Sequence, residues 1–310
     1  MSRPLVSVLM AARNHERYAE DAARSVLDQD YERLELIAID DASDDATADV
    51  LEQIAAEAPQ GRMCVVRHER QAGIGPTRAH ALSLAQGELV GMLDSDDLWL
   101  PDKVGPQVEL MAERPEVGLV HAEFVAFDSD NGETLPWGSR EWDRNADQLV
   151  ELVRLGCFVM PGTTLMRRGA IEQRGLGFVD PGYPSYDDYL LFLTIALDWQ
   201  FAHEDRFVMR YRRHAGNLTN VLFSGNLARA RASLLEQFVR RFPEARPRLG
   251  GELRRTMAEQ LVVAAARERG ASNARAARWT LAALRQHPPA ALETAARVIR
   301  ERVAVAREQR

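Results

Sequence analysis

The chain has 310 residues, of which 46% are hydrophobic and 27% are charged. These values are typical of a globular protein, and the length suits two domains or one domain with a large extension. No apolar run approaches the roughly 18–20 residues that a membrane-spanning helix needs, and the N-terminal apolar run passes directly into the polar stretch AARNHER, unlike a signal peptide. We therefore expect a cytoplasmic protein, with Cys64 and Cys157 as reduced thiols in buried strands.

The net charge of −7 is unevenly distributed along the chain. Residues 221–310 contain 18 Arg and 8 acidic residues, a balance of +10, which leaves −17 for residues 1–220. Opposite signs suggest separate roles, so we predict one domain over 1–220 and a basic helical domain over 221–310. The basic domain can bind anionic lipid or another acidic partner, or it can be a solvated surface that balances the acidic domain.

The first 120 residues alternate short apolar segments with amphipathic ones. We predict strands over 5–11, 34–40, 63–68 and 87–93 with helices between them, the first over 16–29. Such repeated units predict a mostly parallel sheet with helices on both faces. Ligands of these sheets bind beyond the carboxyl ends of the strands, where the segments DDASDD and DSDD lie.

The rest of the chain is less regular. We predict a loop over 128–147, a strand over 162–168, a helix over 187–197 and a strand over 206–214. From residue 222 onward the pattern predicts three or four helices. Two of them carry apolar stripes, namely Leu253, Met257, Leu261 and Val262 in 251–269, and Leu292, Ala296, Ile299 and Val303 in 289–305.

The segment VGMLDSDDLW places three carboxylates, Asp94, Asp96 and Asp97, directly after an apolar run. Oxygen-rich clusters suit Mg²⁺ or Mn²⁺, with one or two carboxylates and the phosphates of a substrate completing the coordination. In a turn all three side chains can converge, whereas in a continuing strand they alternate between faces. An acidic helix cap is the alternative, although a cap needs one Asp and not three.

Three further segments carry polar residues at predicted strand or helix ends. The segment IDDASDD contains Asp40, Asp41, Asp44 and Asp45, and a carboxylate there can accept a hydrogen bond from a nucleotide base or ribose, or the segment is a plain loop and N-cap. Arg78 follows a glycine-containing loop and suits a diphosphate, in a loop that is neither a P-loop nor a dinucleotide fingerprint. Asp187 and Asp188 begin a helix, where a carboxylate is either a general base or a partner of the helix dipole.

These pieces, in this order, resemble the family 2 inverting glycosyltransferases, which have the GT-A fold. The resemblance covers roughly residues 4–218 and rests on four segments: the opening strand–helix–strand–Asp segment that ends IAIDDASDDAT, the acidic motif LDSDDLWLPDKV, the acid pair in YDDYLLFLTIAL, and YRRHAGNLT. It implies an α/β fold with a Rossmann-like, mostly parallel sheet, followed here by a C-terminal α-helical appendage.

The resemblance also implies roles for individual residues. Asp41 would bind the base, Ala12 and Asn14 would lie near the nucleotide, and Arg78 would lie near the diphosphate. Asp97 would be the main ligand of Mn²⁺ or Mg²⁺, with Asp96 near the ribose or the metal. Asp94 is a further candidate ligand, His214 could reach the metal or the pyrophosphate, and Asp188 would be the catalytic base, paired with Asp187.

The chain departs from the family pattern at three positions. Gln71 and His80 stand where Asn is common, and Asp187 stands where Glu is usual. The QxxRW motif of processive polysaccharide synthases is absent, which favours transfer of one sugar per encounter.

The expected function is metal-dependent, inverting transfer of a single sugar from a nucleoside diphosphate sugar, with UDP favoured, to an acceptor hydroxyl in bacterial glycan biosynthesis. A lipid-linked or otherwise anionic acceptor, peripheral membrane contact and a homo-oligomer are all compatible with the basic tail. Nucleic acid is not an expected partner. Two alternatives remain open at this point: nucleotidyl transfer, and a non-catalytic protein that binds nucleotide sugars and uses its tail as an interaction surface.

Overall fold

The computed structural model describes residues 3–135, 142–175, 177–178, 186–217, 227–268 and 273–308. The first part consists of four β-strands with a helix after each of the first three: β1 (Val6–Ala12), α1 (Ala19–Leu27), β2 (Leu34–Asp40), α2 (Thr47–Glu57), β3 (Met63–Arg67), α3 (Ile74–Leu84) and β4 (Leu89–Met92). The predicted strands over 5–11, 34–40, 63–68 and 87–93 are thereby confirmed to within two residues at each end. Six of the seven residues of β1 are buried, as expected of a strand covered on both faces.

The middle of the chain completes the sheet. Its elements are β5 (Leu98–Trp99), α4 (Val104–Glu113), β6 (Val117–Asp128), β7 (Thr134–Leu135), α5 (Gln148–Leu155), a 3₁₀ turn (Pro161–Thr163), β8 (Leu165–Arg167), α6 (Arg168–Glu172), α7 (Asp187–Ile195) and β9 (Gln200–Arg213). The strand predicted over 206–214 begins six residues earlier than expected, because β9 pairs with β6 along most of its length. The loop predicted over 128–147 contains the short strand β7, and residues 136–141 lie outside the described part of the chain.

The described residues contribute nine strands to one sheet, in the order β3-β2-β1-β4-β8-β6-β9-β5, with β7 paired to β6. The first four strands are mutually parallel, and β8 runs antiparallel to both of its neighbours. Ala12 pairs with Asp40 and Met92 pairs with Leu9, so β1, β2 and β4 end at the same edge of the sheet. The loops that follow these strands therefore meet at one place.

The C-terminal residues form helices, as predicted: α8 (Leu227–Arg241), α9 (Ala245–Glu268), α10 (Asn273–Gln286) and α11 (Pro288–Glu308). A non-helical Gly250, with φ 53°, divides α9 into two helical pieces. Both predicted stripes lie on helices. In the first, Leu253, Met257 and Val262 are buried and Leu261 is half-buried. In the second, Leu292 and Ile299 are 63% and 55% exposed and Ala296 is exposed, while the side chain of Val303 lies outside the described part of the chain.

The described residues divide into two compact units. One unit falls within residues 1–144 and 157–217, and the other within 145–156 and 218–310. The segment 145–156, which contains α5, groups with the C-terminal helices because side chains of those helices bind it. Arg248 forms an ion pair with Asp147, the N-cap of α5, and Arg231 Nη2 donates to the carbonyl oxygen of Val153 over 2.6 Å.

The only lysine of the chain, Lys103, is a structural residue at the start of α4. Its side chain is fully buried, and its Nζ donates to Gln107 Oε1 at 2.9 Å and to the carbonyl oxygen of Thr164 at 3.0 Å. The ammonium also lies 4.1 Å from the centre of the Trp99 ring. Burial lowers the pKa of Lys103 to about 7, and these contacts join α4 to the segment that precedes β8.

Neither cysteine lies where the sequence predicts it. Cys64 is on β3 but is exposed, because β3 is the edge strand of the sheet. Cys157 is half-buried and lies outside the strands, where its Sγ contacts the carbonyl oxygen of Val159 at 3.3 Å. The structure places neither cysteine in a disulfide, but the prediction of two buried strand positions is wrong. No described helix has the length and apolar character that crossing a membrane requires.

Candidate active site

The loops after β1 and β2 are tied to each other by short polar contacts. Asn14, with φ 54°, occupies the left-handed region that Asn tolerates better than most residues. Its backbone N–H donates to Ser43 Oγ at 2.9 Å, and its Oδ1 accepts from the backbone N–H of Asp44 at 2.9 Å. Arg13 Nη1 donates to the carbonyl oxygens of Asp41 and Ala42. The predicted nucleotide residue Asn14 is exposed at this edge, and its side chain holds the two loops together.

Ala12 lies at the end of β1, and it is 1% exposed. Its carbonyl oxygen accepts from the backbone N–H of Asp41 at 2.8 Å. The backbone of Ala12 therefore positions Asp41, and its methyl group is buried in the core.

The Asp41 carboxylate holds the loop that leads into α3. It accepts hydrogen bonds from the backbone N–H groups of Ala72 at 2.7 Å and Gly73 at 2.8 Å, and it contacts His68 Nδ1 at 2.9 Å. Burial opposes ionisation of this carboxyl, but these hydrogen bonds outweigh it and lower its pKa. Gly73 has φ 95°, which a side chain would disfavour. A ligand that binds Asp41 must share it with this loop.

Two histidines extend this contact, and the sequence analysis did not assign them to the site. His68 Nε2 lies 2.9 Å from His80 Nδ1, and the two rings are stacked nearly parallel, with an interplanar angle of 5°. Position 80 is one of the two, with Gln71, at which the resemblance leads us to expect Asn. At position 80 the chain therefore has an imidazole in place of an amide, and this imidazole is joined to Asp41 through His68.

The acidic motif turns back on itself, since the N–H of Asp97 donates to the carbonyl oxygen of Asp94 at 3.1 Å. The turn sends its three carboxylates to three different partners. Asp94 Oδ1 accepts from Arg78 at 2.6 Å, Asp96 Oδ2 lies 3.0 Å from His214 Nε2, and Asp97 Oδ1 accepts from the N–H of Arg212 at 2.8 Å. Repulsion within the cluster is thus offset by separate local contacts.

The two inner carboxyls of this motif differ in their ionisation. Burial, together with the charges of Asp96 and Asp94, raises the pKa of Asp97 well above its usual range. Burial has the same tendency at Asp96, but the hydrogen bond from His214 and the charges of His15 and His214 outweigh it and lower the pKa of Asp96. Asp96 is therefore the carboxylate that these surroundings favour in its charged form.

His15, Asp96 and His214 form a group in which one ligand atom of each lies within 4.8 Å of the others. His15 Nδ1 lies 2.8 Å from Ser95 Oγ, while its Nε2 lies 3.8 Å from Asp96 Oδ2. Asn217 Nδ2 also donates to Asp96 Oδ2 at 3.3 Å and so fixes that oxygen. The sequence analysis named Asp96 and His214 but missed His15, whose only signal was its place just after the first strand.

This group fits a divalent cation, and its chemistry favours one metal over another. A carboxylate and two imidazoles form a mixed oxygen–nitrogen set, which suits Mn²⁺ better than Mg²⁺, whose preferred ligands are oxygens. Asp94 and Asp97, also named as metal ligands from the sequence, are directed instead to Arg78 and to the Arg212 amide.

The acid pair begins helix α7, and its two members have different surroundings. Asp187 is 2% exposed, and its Oδ2 accepts from Arg78 Nη1 at 3.0 Å. Asp188 is half-buried, and its Oδ1 accepts from the N–H of Tyr189 at 2.6 Å. Burial and the neighbouring Asp187 charge raise the pKa of Asp188 to about 7. Asp188 is therefore the member suited to exchange a proton at neutral pH.

Arg78 connects the acid pair to the acidic motif. Its side chain is 4% exposed and bridges Asp94 and Asp187, which come from separate parts of the sequence. Burial disfavours its charge, but Asp94 and Asp187 more than compensate and raise the pKa of Arg78. The expected contact of Arg78 with a diphosphate would need donors that this structure directs to carboxylates.

The family model described as "Glycosyl transferase family 2" matches residues 7–175, more than half of the chain. The chain belongs to glycosyltransferase family 2. The matched segment contains the loops after β1, β2 and β4, and therefore Asp41, Arg78 and the whole acidic motif.

Curated relatives agree with this assignment. TuaG of Bacillus subtilis (strain 168), named for teichuronic acid biosynthesis, is 45% identical over 112 residues, which are 36% of this chain and 44% of TuaG. WfaP of Escherichia coli, named as a UDP-Glc:alpha-D-GlcNAc-diphosphoundecaprenol beta-1,3-glucosyltransferase, is 26% identical over 216 residues, 69% of this chain and 80% of WfaP. The chain spans about half the length of the first two curated relatives, 44% and 52%.

Solved structures show the same fold. S. aureus TarS 1-349 in complex with UDP-GlcNAc superposes with a TM-score of 0.65 at 18% identity, covering 95% of this chain and 80% of that one. Mannosyltransferase PcManGT from Pyrobaculum calidifontis, in complex with GDP-Man and Mn²⁺, gives a TM-score of 0.59 at 22% identity, covering 96% and 86%. This family 2 chain has the GT-A fold, followed by C-terminal helices.

Proposed function

We propose that this glycosyltransferase moves a single sugar from a nucleoside diphosphate sugar to an acceptor hydroxyl, with inversion at the anomeric carbon and without processive elongation. The observation that supports this most directly is Asp188, a half-buried carboxyl whose pKa is about 7 and which Asp187 and Arg78 connect to the acidic motif. A single base of this kind suits one direct displacement, which inverts the anomeric centre.

In the proposed reaction the acceptor oxygen forms a bond to the anomeric carbon while the bond from that carbon to the diphosphate oxygen breaks. The bonding electrons leave with the diphosphate, and the acceptor proton moves to a carboxylate oxygen of Asp188. A positioned base of this kind typically contributes about 10²–10⁴-fold to the rate. Asp187 stays on Arg78 and keeps the start of α7 in place.

Asp96, His214 and His15 would hold Mn²⁺ or Mg²⁺, and a bound cation there supplies positive charge next to the leaving diphosphate. Two hydrogen bonds support this metal site. Asn217 donates to Asp96, and the backbone N–H of Asn14 donates to Ser43 in the adjoining loop. Asp97 and Asp94 then stabilise the turn and do not bind the cation. Asp97 accepts a hydrogen bond from the backbone of β9, and Asp94 accepts one from Arg78.

For the donor we propose a UDP-sugar that binds at the edge formed by β1 and β2, where Asp41 contacts its uracil base. WfaP is named for a UDP-Glc donor and TarS was solved with UDP-GlcNAc, whereas PcManGT was solved with GDP-Man. For the acceptor we propose a lipid-linked or other anionic glycan. The name of WfaP includes a diphosphoundecaprenol acceptor, and TuaG is named for teichuronic acid biosynthesis.

The proposal is tested by incubating the full chain with UDP-Glc, UDP-GlcNAc or GDP-Man, with MnCl₂ or MgCl₂ and with EDTA as control. We expect slow release of nucleoside diphosphate and free sugar, because water can replace the missing acceptor, and we expect a UDP-sugar to be the best donor. Release of pyrophosphate would instead indicate nucleotidyl transfer. A thermal shift with a nucleotide sugar but no turnover in any mixture would indicate a binding protein.

The metal proposal predicts that His15→Ala and His214→Ala weaken Mn²⁺ binding. Each substitution should raise the Mn²⁺ concentration at half-saturation by at least about tenfold, as losses of metal-site contacts commonly do. The measurement is Mn²⁺ titration by electron paramagnetic resonance in the presence of UDP, which does not depend on turnover. His287→Asn, in the C-terminal unit, serves as the matched control and should leave the titration unchanged. Parent-like Mn²⁺ binding by both alanine variants would contradict the assignment.

A further inference from the structure

The last helix, α11, carries an apolar stripe that the described chain does not cover. Leu292, Ala296 and Ile299 are all exposed, and their spacing of four and three residues aligns them on one face of the helix. We call these three residues the outward stripe. Leu292 and Ile299 are among the few large apolar side chains that the described residues leave more than half exposed.

The helix is oriented this way because small residues pack more closely on its other side. Ala290 and Ala291 are each 2% exposed and belong to one cluster with Ala258 of α9 and Ala283 of α10. Thr294 is 4% exposed on the same inner side. Alanine allows helix axes to approach closely, so α11 buries its alanine face and turns its larger apolar residues outward.

The charges around the outward stripe are predominantly positive. Arg297 and Arg300 are exposed on the same half of the helix, given the rotation of about 100° per residue. The hydrogen bond and charge of Glu259 raise the pKa of Arg255 of α9, and the one acidic neighbour in this arc, Glu293, lies close enough to that arginine to add to the effect. On α10, Leu281 is 56% exposed between the exposed Arg278 and Arg285.

An exposed apolar stripe beside arginines fits one type of partner better than another. A second copy of this chain would bring together two segments of +10 charge each, and like charges oppose that association. An anionic bilayer offers negative charge for the arginines and an apolar layer just beneath the headgroups for the stripe. The charge pattern therefore distinguishes between the two.

We propose that the outward stripe, with Arg297 and Arg300, is a docking surface for an anionic membrane. In this arrangement α11 lies along the bilayer surface, Leu292 and Ile299 enter the boundary between headgroups and acyl chains, and the two guanidinium groups contact lipid phosphates. The docking surface involves none of the residues assigned to the chemistry, so the inference is independent of the proposed reaction.

The test is sedimentation of the full chain with vesicles of phosphatidylcholine alone or of phosphatidylcholine mixed with phosphatidylglycerol. We expect binding to the anionic vesicles, and its loss at high salt. Leu292→Ser/Ile299→Ser should weaken it more than tenfold, since each buried methylene contributes a factor of about four. Arg297→Gln/Arg300→Gln should weaken it about 25-fold, since each arginine near an anionic surface contributes a factor of about five.

Phe207→Ser is the matched control, because Phe207 is 59% exposed on β9 of the other unit, and it should bind as the parent does. Absence of binding at low salt, equal binding to neutral vesicles, or parent-like binding by both double variants would overturn the proposal. A parent dimer that Leu292→Ser/Ile299→Ser dissociates in analytical ultracentrifugation would also overturn it, because the stripe would then be a self-association surface. If the serine variant loses helical circular dichroism, the arginine variant decides.

Discussion

Asp188→Asn lowers donor turnover by about 10²–10⁴-fold, the range typical of losing a positioned general base. The amide cannot accept the proton of the attacking hydroxyl or water, yet it retains the size of the carboxyl and a carbonyl oxygen for the N–H of Tyr189. Donor binding should remain within a few fold of the parent, because Asp188 is not among the groups proposed to hold the nucleotide. The measurement is nucleoside diphosphate release under saturating donor, with donor affinity measured by calorimetry.

The same residue predicts the acid limb of the pH profile. Burial and the Asp187 charge raise the pKa of Asp188 to about 7, so the basic, ionised form is lost as the pH falls through that value. Turnover by the parent should therefore decrease about tenfold per pH unit well below pH 7, as expected for one essential deprotonated group. The residual turnover of Asp188→Asn should lack this limb. A variant that keeps both parent turnover and the limb would rule out Asp188 as the base.

Stability measurements separate loss of chemistry from loss of structure. The surroundings of Asp188 disfavour its ionised form, so at pH 8 the neutral asparagine should leave the unfolding midpoint at or above that of the parent. Asp187→Asn is the contrasting variant, because it removes one of the two carboxylates that neutralise the buried Arg78. We expect that variant to be destabilised. A similar loss of stability in both would mean that the pair acts as one structural unit.

Arg78→Met should destabilise the protein by about 3–5 kcal/mol, the usual effect of removing one partner of a buried ion pair. Methionine approximates the volume of the arginine stem but leaves Asp187, which is 2% exposed, and Asp94 without their cation. The measurement is urea unfolding followed by the intrinsic fluorescence of the unit that falls within residues 1–144 and 157–217. Turnover should fall as well, because the start of α7 and the acidic motif lose their connection.

Two further variants distinguish this role of Arg78 from a direct contact with the diphosphate. Arg78→Met/Asp187→Asn should recover part of the lost stability, since the second change removes the buried charge left unpaired by the first. Arg78→Lys retains the charge but cannot bridge two carboxylates with a planar fork, so it should be intermediate. If Arg78→Met were as stable as the parent and only weakened donor binding, the bridging role would be wrong and the diphosphate role would stand.

The sequence predicted the first four strands closely because each is a short apolar run bounded by polar turns, and β1, β2 and β4 are in addition almost wholly buried. It also predicted where the carboxylate groups would meet, because parallel strands end at the same edge. It failed for β9, whose polar first half gives no strand pattern but pairs with β6. For α11 it predicted the apolar stripe but not its exposure, because a stripe shows that a helix is amphipathic and does not show which face its neighbours cover.

Within the site, the sequence by itself determined the family and the acidic residues, since three close carboxylates after a buried strand are hard to explain by folding alone. Which atoms those carboxylates contact was decided only by the tertiary structure. Asp94, Asp96 and Asp97 occupy four consecutive positions, yet their partners come from α3, from the end of β9 and from its backbone. His15 contacts Ser95, which is 80 residues away in the sequence, and lies beside Asp96. Arg78 binds Asp187, which is 109 residues away. Such contacts depend on the register of the sheet and on the direction of each loop, and local residue patterns carry neither.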